Sequence, residues 1–157
     1  VELDDAFVGG RRSGGKSGRG AEGKTPILVA VESRGKKAGF IAMETTHSVS
    51  AENIRQLAKR HLLPRQTTRT DGLVALRVLG EAQQHEGRVT PAERVDEWLP
   101  WVHIAIGNLK AYLLGTFHGI TARPSDWRLK KVKRHVAGRR KPDEKLPRRA
   151  VRWTNTQ

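Results

Sequence analysis

The chain has 157 residues, 30 Lys and Arg against 16 Asp and Glu, and a net charge of +14 at pH 7. Its 36% apolar content with 16 glycines supports one ordinary core and argues against several domains. The absence of cysteine excludes a disulfide framework and a thiolate zinc site. No apolar run approaches a membrane span and no signal-peptide pattern opens the chain, so a soluble, intracellular protein without a membrane partner is expected.

The first element is a strand in which Val1, Leu3, Phe7 and Val8 stand among polar neighbours. It has no initiator Met before it, and a fragment of a longer protein is inferred. From Gly9 to Gly23 there are seven glycines, with Arg11, Arg12, Lys16 and Arg19 among them, which reads as a flexible basic loop. Ile27 to Val31 and Gly39 to Glu44 form two further strands around a turn, completing a meander. Ser50 is placed to cap a helix from Ala51 to about His61, with Ile54, Leu57 and Ala58 on one face and Pro64 after its end. Gln66 to Thr70 reads as a fourth strand ending at Asp71-Gly72, followed by a short helix over Leu73 to Gly80. Residues 81 to 97 read as polar and irregular. Trp98 to Leu114 reads as a longer apolar helix carrying His103 and Lys110. Strands in a run, then a helix, a strand and helices, predict an α/β fold with a mixed sheet.

The charge is concentrated at the end. Residues 1 to 120 carry 17 basic and 13 acidic side chains, whereas residues 121 to 157 carry 13 and 3. The second segment has too few large aliphatics to offset its ordering entropy, so a poorly ordered basic tail that meets a polyanion is expected. Nucleic acid is the obvious polyanion, bound in a salt-sensitive and largely sequence-blind way. Arg11, Arg12 and Lys16 of the loop, and Lys130, Lys131, Arg139 and Arg140 of the tail, are the candidate contacts. Trp127 and Trp153 in the tail could stack on bases, whereas Trp98 and Trp101 read as core residues.

Asp4 is the anomaly of the first strand. A carboxylate facing a core costs several kcal/mol unless a cation or donor meets it, so its presence asks for a partner. Glu2 and Asp5 flank it and read as solvent-facing on the opposite strand face. Gly10, Gly15, Lys16 and Ser17 match a phosphate-loop pattern letter by letter. A phosphate loop must open directly into a helix, yet Gly18, Gly20, Gly23 and Pro26 follow, a composition hostile to helix. The segment is therefore read as a basic hairpin loop. Without cysteine, and with the serines clustered in loops, no thiol or serine nucleophile set is supported.

The opening Val1-Glu2-Leu3-Asp4-Asp5-Ala6-Phe7-Val8-Gly9-Gly10 resembles the start of the catalytic domain in insertion-sequence transposases of the ISXO-like branch of the DDE superfamily. In that branch Val-Glu-x-Asp-Glu-x-x-x-Gly-Gly is typical. Thr70-Asp71-Gly72 is a second resemblance. The run from Val102 to Lys110, continuing as Leu114-Gly115-Thr116-Phe117-His118-Gly119, is a third and looks like the segment with the last catalytic position. The three blocks stand in the expected order over residues 1 to about 120. The resemblance implies a ribonuclease H-like catalytic domain over residues 1–120, a mixed sheet flanked by helices, followed by the basic tail at 121–157.

It also implies a two-metal site for Mg²⁺ or Mn²⁺, with Asp4 bridging both ions, Asp71 holding one and His103 the other. In most such enzymes the third ligand is Glu with a Lys seven residues on. Lys110 stands seven after His103, two turns along and on the same helix face, where it would contact DNA beside the cut. Asn108 is a rival for the third ligand, although its offset from Lys110 does not fit the shared pattern. His118 is a further candidate DNA contact or a helix-terminal residue.

The activity implied is phosphodiester hydrolysis at element ends and transfer of the freed 3′ hydroxyls into target double-stranded DNA. A homodimer or higher synaptic complex in the bacterial cytoplasm would carry it out. After Gly119 the resemblance breaks. The family continues with a Tyr-x-x-Glu-Phe-like stretch and an Arg-x-Asn-Arg close, where this chain has a basic segment with Pro142 and Pro147; a frame-shifted or degenerate remnant is one reading of it. The alternative function is a non-catalytic basic nucleic-acid binder, either a decayed transposase or an RNA-binding protein.

Overall fold

The computed structural model describes residues 1–9 and 24–117. Five strands form one mixed sheet in the order β3-β2-β1-β4-β5. They are β1 (Glu2–Val8), β2 (Thr25–Ser33), β3 (Ala38–Thr45), β4 (Thr67–Asp71) and β5 (Gln84–Arg88). The first three form the antiparallel meander, and β4 and β5 run parallel to β1. Helices α1 (Ala51–His61), α2 (Val95–Trp98) and α3 (Pro100–Phe117), with a 3₁₀ helix at Val74–Glu81, flank the sheet. The expected α/β class and mixed sheet are therefore present, with one strand more than the four expected.

The sheet divides the core into two layers. Ala6, Val8, Val29 and Val31 pack against Val102, Ala105, Ile106, Leu109 and Leu113 of α3. On the other face, Leu3, Leu28 and Ala30 pack against Ile54 and Leu57 of α1 and Leu76 and Leu79 of the 3₁₀ helix. The five residues Ile27 to Val31 are all buried, since β2 is covered on both faces and needs no polar alternation. Helix α1 begins where the sequence places it, with the Ser50 side chain accepting from the Asn53 amide at 3.3 Å.

Residues 81 to 97 are not irregular. Gln84 to Arg88 pair in parallel with Thr67 to Asp71, and α2 begins at Val95. β5 is an edge strand whose side chains are mostly exposed, so it lacks the apolar alternation by which strands are recognised. Trp98 closes α2 and does not begin the long helix, which starts at Pro100, a residue suited to a first helical position because its missing amide hydrogen would have no partner there.

Glu2 corrects a second expectation. Successive strand side chains alternate between faces, so Glu2 shares a face with Asp4, and that face meets α3. Glu2 is 1% exposed, and its Oε2 accepts from the Trp101 amide at 2.7 Å and the Val102 amide at 2.9 Å. No acidic residue stands in the first turn of α3 itself. A carboxylate from β1 thus satisfies its orphan amides and meets the positive end of its dipole. Glu2→Ala would leave a buried and a half-buried N–H group without their acceptor and should cost about 2–4 kcal/mol. Glu2→Gln, which keeps an acceptor, should cost less than half of that. Urea unfolding of the two variants beside the parent chain measures both.

Candidate active site

The site forms where β1, β4 and the start of α3 meet. The parallel ladder pairs Glu2 with Arg69 and Leu3 with Thr70. One further step places Asp4 beside Asp71, the last residue of β4. Asp4, Asp5 and Asp71 each offer a carboxylate oxygen, and these atoms lie within 4.8 Å of one another. Asp4 and Asp71, 67 residues apart in the chain, therefore share one pocket, as the sequence leads one to expect.

Asp5 is the correction. Strand alternation alone would send it to the opposite face, yet its carboxylate joins the group. Pairing with β4 stops at Leu3, which leaves that flank of β1 open beyond this residue.

Local hydrogen bonds hold the acids in place. Asp4 Oδ1 accepts from the Asp5 amide at 2.8 Å, and Asp71 Oδ1 accepts from the Leu73 amide at 3.0 Å, closing a turn through Gly72. A Cβ at Gly72 would overlap the Val89 side chain, so any larger residue there requires the exposed Val89 to shift. Beyond the turn Asp71 borders a cavity of about 250 Å³, shared with Arg77 and His85.

His103 lies in the first turn of α3. Its Nε2 is 3.3 Å from Asp4 Oδ2, and its Nδ1 is 2.9 Å from Asp96 Oδ1 of α2. His103 is thus brought to Asp4, although the tightest group consists of the three aspartates. Lys110 and Asn108 are both exposed, and Lys110 shares the helix face of His103. Of the other expected contacts, Arg11, Arg12, Lys16, His118, Trp127, Lys130, Lys131, Arg139, Arg140 and Trp153 lie outside the described residues. Trp98 and Trp101 are half-buried against the α3 side of the core, as expected.

The donors fit a hard divalent cation. Carboxylate oxygens are the preferred ligands of such ions, and adjacent ligands of an octahedral shell about 2.1 Å in radius stand about 3 Å apart. The His103 Nε2 to Asp4 Oδ2 separation is close to this value. With the Nδ1 proton donated to Asp96, the Nε2 lone pair faces a carboxylate oxygen, and that contact is repulsive unless a proton or a cation lies between them.

Burial raises the Asp4 carboxyl from 3.8 to about 6, and the charges of Asp71 and Asp5 add to the rise. The Asp5 amide and His103 oppose it. A carboxyl raised on folding contributes stability that is complete below about pH 4 and is lost as the pH rises through about 6, a change of roughly 3 kcal/mol. In chelator at pH 8, Asp4→Asn should therefore melt higher than the parent chain. That advantage should vanish near pH 4, as read by thermal unfolding at both pH values.

No curated protein and no solved structure gives a significant match to this chain. The profile of the ISXO2-like transposase domain matches residues 1–132, which include both aspartates, His103 and Lys110 and reach into the basic segment. The order of elements, the convergence of Asp4 and Asp71, and this match over most of the length agree, and the chain belongs to the family of ISXO2-like transposase domains.

Proposed function

We propose that this chain is the catalytic core of a DNA transposase that hydrolyses phosphodiester bonds at element ends and joins the 3′ hydroxyls to target DNA. The observation that carries the reading is the gathering of Asp4, Asp5 and Asp71 within 4.8 Å, with His103 against Asp4. Divalent ions bound in such a group supply Lewis acidity toward the phosphate and lower the pKa of the attacking hydroxyl.

The protein's own residues supply position and charge. Asp4 and Asp71 hold the cations, and Asp5 offers a third carboxylate at the open end of β4. Asp96 accepts a hydrogen bond from the Nδ1–H of His103, with Nε2 turned toward Asp4, the arrangement by which a carboxylate fixes the tautomer of a ligating imidazole. Lys110 places a point charge for a DNA phosphate two helical turns from His103. The basic loop and tail add salt-sensitive affinity, and bringing two ends together calls for a dimer or larger assembly.

Replacing Asp4 and Asp71 together by Asn should abolish Mn²⁺-dependent cleavage of end-containing DNA while leaving DNA affinity within about twofold. A parent chain that binds DNA but shows no metal-dependent cleavage would favour the basic binder instead. Imidazole is a softer, neutral ligand compared with Glu. The parent chain should therefore gain more from Mn²⁺ over Mg²⁺ than His103→Glu does, and equal rates with both ions in the parent would remove His103 from the ligand set.

A further inference from the structure

Beyond α3, the sheet face that carries Glu2 and Asp4 continues over β4 and β5. Arg69 and Asp71 point to this face, and the ladder sets Arg69 beside Glu86 and Asp71 beside Arg88. Trp98 of α2 covers it, with its indole Nε1 donating to the Thr70 carbonyl at 2.9 Å. Two guanidinium groups stack on this one ring, Arg69 at 5.1 Å and Arg88 at 5.5 Å from its centre.

The two arginines differ in what else they touch. Arg69 Nε also meets Glu86 Oε2 at 3.4 Å. Arg88 is exposed and forms no ion pair with any described residue, although the neighbouring strand position is an aspartate. Stacking leaves the in-plane N–H groups of a guanidinium open, and these match the oxygens of a phosphate in a bidentate way. An indole anchored to the backbone restricts the arginine in advance, so less freedom is lost when a phosphate binds.

We propose that Arg88, held by Trp98 and backed by Arg69, is a phosphate-binding residue for DNA, one strand spacing from Asp71. It grips the backbone next to the phosphate presented to the acidic group. Three carboxylates repel a polyanion, and a guanidinium at the adjacent ladder position offsets that repulsion where the strand must come closest. This inference rests on the reading of DNA as the substrate.

The test is the affinity of the full chain for a labelled duplex, measured by fluorescence anisotropy from 50 to 300 mM NaCl without divalent metal. Arg88→Ala should bind about tenfold more weakly at low salt and flatten the log–log salt slope by about 0.9. Arg88→Lys should restore most of the slope and only part of the affinity, because lysine keeps the charge and loses the stacked fork. Lys59→Ala on α1, behind the opposite sheet face, should change neither quantity by as much. An Arg88→Ala chain with unchanged slope and affinity overturns the proposal and leaves the transposase reading standing. A parent chain that binds no duplex overturns both.

Discussion

The contact between the Glu2 carboxylate and the first amides of α3 sets the geometry on which the site depends. It joins the first residue of β1 to a helix that begins almost a hundred residues later. Burying a carboxylate is costly, and here two backbone donors and a helix dipole offset the cost. Because Asp4 follows Glu2 by two residues and His103 follows the bonded amides by one, the same contact that docks the helix brings imidazole to carboxylate. A slip of one residue in β1 would turn both acids to the wrong face, so the register that stabilises the fold is also the register that assembles the site.

Around that contact the molecule separates rigid from charged regions. The apolar layers on both faces of β2 supply cohesion, and the acidic group lies at the seam where β1 loses its neighbour beyond Leu3. There the chain holds Asp4, Asp5 and Asp71 close together, and burial, with a smaller contribution from the charges of Asp71 and Asp5, raises the Asp4 carboxyl. Without a cation the ionised Asp4 carboxylate destabilises the folded state. On the proposed reading the three carboxylates become ligands of a cation, and their mutual repulsion turns into affinity for it. A site built against local stability in this way is what metal-assisted phosphoryl transfer calls for.

Charge is distributed to the same end. On the proposed reading, the net charge of +14 draws DNA from a distance, and the acidic group takes a phosphate together with cations. Arg88, stacked on Trp98 and exposed, stands beside Asp71 in the ladder. The attraction is long-ranged and general, whereas the chemistry is confined to a few ångströms.

Several parts of this arrangement were legible in the chain alone. The cap and apolar face of α1, the fully buried run of β2, and the seven-residue interval from His103 to Lys110 are local patterns, repeating at the period of the element that carries them. Asp4 could be singled out because a carboxylate in an apolar strand demands a partner. Glu2 reads as solvent-facing from its neighbours, although the period-two rule places it on the face of Asp4. β5 leaves no signal in the sequence because an exposed edge strand is held by backbone hydrogen bonds to β4, which impose no apolar pattern on Gln84 to Arg88. Asp5, Asp96 and Arg88 acquire their places from where β4 ends, how α2 packs and which ring lies beside them. The sequence determined the capped helix α1, the strands β1 to β4 and the acid Asp4 that could not be buried alone, since these follow from neighbours a few residues away. Only the tertiary structure decided which distant groups share a pocket, because through-space contact depends on strand pairing and helix docking, and neither leaves a local periodic trace.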